Sequence, residues 1–323
     1  MTLVAVVGPT ATGKSALALA LARRFDGEII ACDSTAVYRR IDIGTDKVPA
    51  EAQQGVPHHM VDLVEPAEVY SAARYAADAA AVIRDVEARG RLPVLAGGAG
   101  FYYRALVRGI FPGPARDDEL RGRLDRVAAR RGVESLHRWL GRVDPESARR
   151  IQPRDRKRLV RALEVYLLTG RPLTAHFDAT RSPIAGARIL TLGLTLPRAE
   201  LRRRVAARVD QQFARGVVRE VQELLAAGVP RTAHAFSGLV YRQVREMLAG
   251  VRDEPATREL IVRENMRYAR RQLIWFRKEP GVQWLDGAGE SEAVRAAAEA
   301  RVQQFVEGRA GHGDHGDHGA GSG

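Results

Sequence analysis

The chain has 323 residues and a single cysteine, Cys32. No disulfide can form within it, and no cysteine-rich zinc site exists. No window of about eighteen apolar residues occurs, so no transmembrane helix is expected. The start of the chain lacks a signal-peptide pattern, because the apolar run from Thr2 to Val7 is short and Gly8 and Pro9 follow at once. No internal repeat is visible. A cytoplasmic protein without membrane attachment is the expectation. Acidic residues are also in the minority: 39 Asp and Glu face 51 Lys and Arg, a formal net charge of +12. Such an excess suits a polyanionic partner, although an arginine-rich genome would leave the same mark.

Apolar residues make up 45% of the chain, enough for a substantial core in one large domain or two smaller ones. Leu3–Val7, Glu28–Ala31 and Pro93–Ala96 read as buried parallel strands, because they are continuous apolar runs rather than alternating ones. Lys14–Arg24 and the Ala-rich Tyr70–Arg89 have helical periodicity between them. After Pro112 the composition changes. Asp117 to Arg171 is helical and Arg-rich with no strand pattern, and "RILTLGLTL" (Arg188–Leu196) returns to a strand. Helices are expected over Leu201–Leu225, Tyr241–Leu248 and Glu259–Phe276, with a last short strand at Val282–Leu285. The Gly/His/Asp-rich segment 311–323 reads as a disordered tail, whose His312, His315 and His318 are solvated.

The sharpest motif is "GPTATGKS": Gly8, Pro9, Thr10, Ala11, Thr12, Gly13, Lys14 and Ser15. It follows a strand and opens a helix, the context in which backbone N–H groups and a helix N-terminus cradle phosphate. Lys14 adds charge and the Ser15 hydroxyl can reach a Mg²⁺. The fold class that follows is α/β, a P-loop-type doubly wound parallel sheet with an inserted helical domain. The expected boundaries are a sheet core over 1–113 and 186–310, a helical insert over 114–185 and the tail over 311–323. Asp33 stands at the carboxyl end of the second strand, where such sheets face their ligand. It can act as a base, bind Mg²⁺ or cap a turn. The third strand runs into "GGAG" (Gly97–Gly100) with no carboxylate, which weakens a reading as an NTPase. The His58–His59 pair in "PHHMVD" suits packing and hydrogen bonds better than a shared metal, because adjacent side chains diverge. Arg158 and Arg161 lie on one helix face, within reach of Arg154 or Lys157.

Seven stretches taken in order resemble one family, the tRNA dimethylallyltransferases. They are "GPTATGKS", "CDSTAVYRRIDIGTDK", "GVPHHMVD", "YSAARY", "GGAGFYYRAL", "RKRLVRALEVY" and "YARRQLIWFR". The resemblance implies transfer of a dimethylallyl group from its diphosphate to the exocyclic amine of an adenine beside the anticodon. The cradle, from Gly8 to Ser15, and Arg208 would then hold the donor's diphosphate, with Mg²⁺ at Ser15. Asp33 would be the base and Lys14 the leaving group's counter-charge. Asp33, Ser34, Thr35, Ala36, Arg121, Lys157, Arg158, Leu159, Val160 and Arg161 fall where the family touches tRNA. The partners implied are tRNA and dimethylallyl diphosphate, and a monomer is expected. The chain departs from the family at Ala99, where Thr is usual near the reacting centre. It also departs at Thr35-Ala36, at Val240 in place of Gly, at Asn265-Met266 in place of Thr-Arg, and at Arg154 in place of Asn. Three rival readings remain: an adenylate isopentenyltransferase acting on free nucleotides, a P-loop small-molecule kinase, and a non-catalytic RNA-binding protein.

Overall fold

A computed structural model describes residues 1–111 and 113–308. The expected tail at 311–323, with its three histidines, lies outside the described residues. The chain divides into two compact units, one formed by Met1–Leu106 together with the chain from Gly186 onward, the other by Val107–Ala185.

The first unit is built on strands β1 (Thr2–Val7), β2 (Gly27–Cys32), β3 (His58–His59), β4 (Leu92–Gly97), β5 (Arg188–Thr195) and β6 (Val282–Asp286). They form one sheet in the order β3-β2-β4-β1-β5-β6, and every pairing is parallel. Every residue of β1 is buried, as an apolar run covered on both faces must be. Val4 and Val6 point into a core with Leu17 and Leu21 of α1 (Lys14–Arg24) and with Val294 and Val302 of a C-terminal helix, Glu292–Glu307. The alternate residues Leu3, Ala5 and Val7 are equally buried on the other face. Helix α2 (Ala72–Ala88) follows the Ser71 cap, whose side chain accepts from Arg74 N, and buries Tyr75, Ala79 and Ile83, and α3 (Gly100–Val107) follows β4. The chain leaves β1 for β2 on one side and returns to β5 on the other. The carboxyl end of β1 is therefore a topological switch point, where doubly wound sheets bind ligands.

Two features differ from the sequence reading. The expected helix over 201–225 is two, α8 (Arg198–Ala214) and α9 (Val217–Ala226), broken at Arg215–Gly216. The His58–His59 pair forms the edge strand β3, too short to carry a pattern. His59 Nε2 lies 2.6 Å from Glu28 Oε2 and His58 Nδ1 lies 2.9 Å from Val56 O.

The second unit consists of α4 (Asp118–Arg131), α5 (Val133–Val143), α6 (Pro145–Arg150) and α7 (Arg156–Thr169). Aspartates cap three of them: Asp117 accepts from Leu120 N, Asp144 from Ser147 N and Asp155 from Arg158 N. Leu124, Leu136, Leu140, Leu159 and Leu163 form its core.

Candidate active site

The loop between β1 and α1 wraps the N-terminus of α1. Gly13 caps the helix with φ 85°, and a Cβ there would meet Gly289 N at 2.7 Å. The loop braces itself: Thr12, fully buried, donates its hydroxyl to Pro9 O at 2.9 Å, and Lys14 Nζ donates to the same oxygen at 2.5 Å. The Thr12 side chain is thus turned inward, and Pro9 and Thr12 shape the loop without lining the cavity beside it. Thr10, Ala11, Gly13, Lys14 and Ser15 line a cavity of about 260 Å³. Among the described residues, no protein acceptor takes the N–H groups from Ala11 to Ser15. Burial, and then the neighbouring Arg208, push the Lys14 ammonium down to about 7, while Asp33 and Cys32 pull the other way.

Asp33 follows β2 and lines the same cavity. Its Oδ1 accepts from Thr35 N at 2.7 Å, Thr35 Oγ1 at 2.6 Å and Ala36 N at 3.3 Å. All of the carboxylate's hydrogen bonds among the described residues fall on Oδ1, which leaves Oδ2 to a ligand. Ala99 lies one residue beyond Gly97 and Gly98, which line the cavity. Its N–H donates to Cys32 O at 3.1 Å, and its carbonyl accepts from Cys32 Sγ at 3.6 Å. Burial pushes the Cys32 thiol up to about 12, so it is an inert part of the floor.

Arg208, on α8, also lines the cavity. Its Nε lies 3.0 Å from Asp46 Oδ2 and its Nη2 donates to Asn265 Oδ1 at 3.4 Å. The Asp46 contact is an ion pair without an aligned hydrogen bond, so the buried Nε–H has no acceptor among the described residues. A second cavity of about 380 Å³ shares Thr10, Asp33, Thr45, Arg208 and Tyr268 with the first. Thr35, Val240 and Asn265, three of the departures from the family pattern, line this second cavity. Val240 is buried and holds φ 74° at the start of α10 (Tyr241–Leu248), a backbone that a β-branched residue adopts only under strain.

Sequence reasoning missed the contribution of α11 (Glu254–Phe276). Asn265, Tyr268 and Gln272 stand three and four residues apart on one face and all reach the site. The signal was present in "ENMRYARRQ" as uncharged polar residues at helical spacing among arginines. Burial and the nearby Asp33 carboxylate push the Tyr268 phenol above its usual range, so it stays protonated.

Within the helical unit, α7 exposes Lys157 and Arg158. Leu159 and Val160, by contrast, are buried, so their side chains cannot touch RNA. The 3.6-residue period turns them into the core. Arg121 and Arg161 are held by Glu164, which is wholly buried. Arg121 donates twice at 2.8 Å and Arg161 Nη1 once at 2.6 Å. Burial pushes the Glu164 carboxyl up, but these two guanidiniums outweigh it and hold it at about 2. Arg154 is exposed and pairs with Glu134 at 2.8 Å.

The family model described as "IPP transferase" matches residues 36–279. A tRNA dimethylallyltransferase of Solibacter usitatus is 46% identical over 309 residues, covering 95% of this chain and 99% of the relative. One of Geobacter metallireducens is 45% identical, covering 90% and 94%. Among solved structures, the full-length tRNA isopentenylpyrophosphate transferase of Bacillus halodurans superposes with a TM-score of 0.72 at 34% identity, covering 96% and 98%. A eukaryotic dimethylallyltransferase solved acting on tRNA gives 0.78 at 25% identity, covering 95% of this chain and 80% of its own.

Proposed function

The chain belongs to the IPP transferase family, whose matched relatives are tRNA dimethylallyltransferases, and on that premise we propose that it transfers a dimethylallyl group from dimethylallyl diphosphate to the exocyclic amine of an adenine adjacent to the tRNA anticodon. The observation that carries this reading is one cavity that joins an open phosphate cradle, a lysine and an arginine to a carboxylate with a free oxygen. The amine nitrogen bonds to the allylic carbon as the carbon–oxygen bond to the diphosphate breaks. The leaving pyrophosphate stays in the cradle, where the N–H groups from Ala11 to Ser15, Lys14 and the Arg208 guanidinium meet its charge. The amine proton passes to Asp33 Oδ2. The donor's arrival restores the Lys14 ammonium, because phosphate oxygens replace the solvation that burial removed.

Mg²⁺ fits the donor set. The oxygens at hand are hard ligands, and the exposed Ser15 hydroxyl at the start of α1 would hold the ion together with diphosphate oxygens and water. Among the described residues there is no group of three or more His, Cys, Asp and Glu that could hold a metal ion. When bound, it supplies charge neutralisation of the departing pyrophosphate.

We assign tRNA contact to the basic helical unit, with Lys157 and Arg158 as its accessible cations. A monomer acting in the cytoplasm is part of this proposal. Among the described residues no helix is long and apolar enough to cross a membrane. The identity of the relatives favours tRNA over a free nucleotide or kinase chemistry as acceptor. The test incubates purified protein with dimethylallyl diphosphate, Mg²⁺ and either unmodified tRNA or AMP, then weighs the products. Prenylated tRNA with unchanged AMP is expected. Prenylated AMP alone, or ADP release in step with ATP supplied, would overturn it.

A further inference from the structure

Gln272 carries no charge, is 6% exposed, and sits where two loops of the site meet. Its Oε1 accepts from Thr10 N at 2.8 Å, and its Nε2 donates to Gly98 O at 2.9 Å. Thr10 belongs to the cradle after β1, and Gly98 to the glycine loop after β4. These strands are neighbours, with Val7 opposite Gly97, so both loops leave the same edge of the sheet side by side. One amide from α11 spans their tips. Only Asn and Gln side chains offer an acceptor and a pair of donors on a single uncharged group, so no other residue type of this length makes both bonds.

The approach is built from both sides. A Cβ on Gly98 would lie 2.1 Å from Gln272 Nε2, so the amide reaches the carbonyl only because position 98 has no side chain. Thr10 N–H is occupied by this bond, so the donors open to phosphate begin at Ala11. The same helix carries Tyr268, which lines both cavities, one turn before Gln272. Locking Gln272 to the two loops therefore also sets how α11 presents Tyr268.

We propose that Gln272 is a positioning residue: its amide ties the phosphate cradle to the glycine loop, and so sets the distance between the donor's diphosphate and the side of the cavity where Asp33 takes the proton. This rests on the transferase reading above. It adds a residue to that site which acts through Thr10 and Gly98 rather than on the reacting atoms.

The test uses the full chain with Gln272→Met, Gln272→Glu and Gly98→Ala. Amide hydrogen exchange is followed on a peptide spanning residues 6–16, beside steady-state kinetics for each substrate. Gln272→Met loses both bonds at similar volume. It should speed exchange at Thr10 by about tenfold, the worth of one net hydrogen bond. The KM for dimethylallyl diphosphate should rise and kcat fall, with tRNA affinity unchanged. Gln272→Glu keeps an acceptor for Thr10 but cannot donate to Gly98, so exchange should return towards wild type while donor KM stays high. Gly98→Ala displaces the amide from the other side and should reproduce the kinetics of Gln272→Met. Unchanged Thr10 exchange in Gln272→Met would overturn the proposal. So would faster exchange with unaltered donor KM and kcat, or protection lost evenly along the chain. A wild type that transfers no dimethylallyl group would instead refute the transferase reading, and the exchange comparison would still report on the tie.

Discussion

Asp33→Asn separates chemistry from structure at this site. Three donors converge on Asp33 Oδ1: Thr35 N, Thr35 Oγ1 and Ala36 N. An asparagine can satisfy them in only one orientation, with its carbonyl oxygen in the Oδ1 position. Its NH₂ must then replace Oδ2 in the cavity, where a proton acceptor becomes a donor. The loop keeps its shape, at a cost of about 1 kcal/mol as charge-assisted hydrogen bonds become neutral. The chemical step loses its base, which is worth about 10²–10⁴ in rate, or about 3–5 kcal/mol of barrier. The assay is single-turnover transfer at saturating donor and tRNA, repeated across a Mg²⁺ series, with thermal unfolding alongside. A fall of that size, with both affinities near wild type, is expected. A rate within threefold of wild type with a lowered melting temperature would reduce Asp33 to a turn cap. Lost donor affinity restored by excess Mg²⁺ would make it a metal ligand.

Three further outcomes follow from the same geometry. Burial lowers the Lys14 ammonium from 10.5 to about 7, and the bound diphosphate raises it again. Donor binding at pH 8 should therefore take up close to one proton, and affinity should weaken by up to about tenfold per pH unit above 7. Calorimetry in two buffers of different ionisation enthalpy measures the uptake, and a value of zero refutes the argument. Glu164→Gln removes the charge that holds Arg121 and Arg161, and should destabilise the protein at pH 7 by about 2 kcal/mol after allowance for the partly exposed arginines. A depressed carboxyl contributes stability above its ordinary value of 4.5 and loses it as pH falls through about 2. The gap between variant and wild type in denaturant melts should thus close between about pH 5 and 2, and equal stability at pH 7 would contradict it. Lys157→Ala with Arg158→Ala should lower the salt slope of tRNA binding by about one to two, since both cations are exposed and each phosphate contact contributes about one. An unchanged slope would leave that face merely solvated.

The parts legible in the sequence are those whose physics is local. A phosphate cradle must be contiguous, because neighbouring N–H groups of one loop do the binding, and Gly8–Ser15 can be read in a line. Strand β1 shows as an apolar run because both its faces are covered. Asp33 is legible because it ends a strand beside the cradle. Other features depend on which distant elements meet. Gln272 bonds an amide 262 positions away, and Arg208 finds Asp46 and Asn265 from separate segments. Arg121 and Arg161 look like free cations in the sequence, yet a buried carboxylate claims both. The strand β3, two residues long, has no period to betray it. A sequence states what each stretch of backbone prefers and which face it would bury. Which side chains share a cavity, and so which charges are already spent, is decided when the sheet order brings the ends of β1, β2 and β4 together beneath one face of α11.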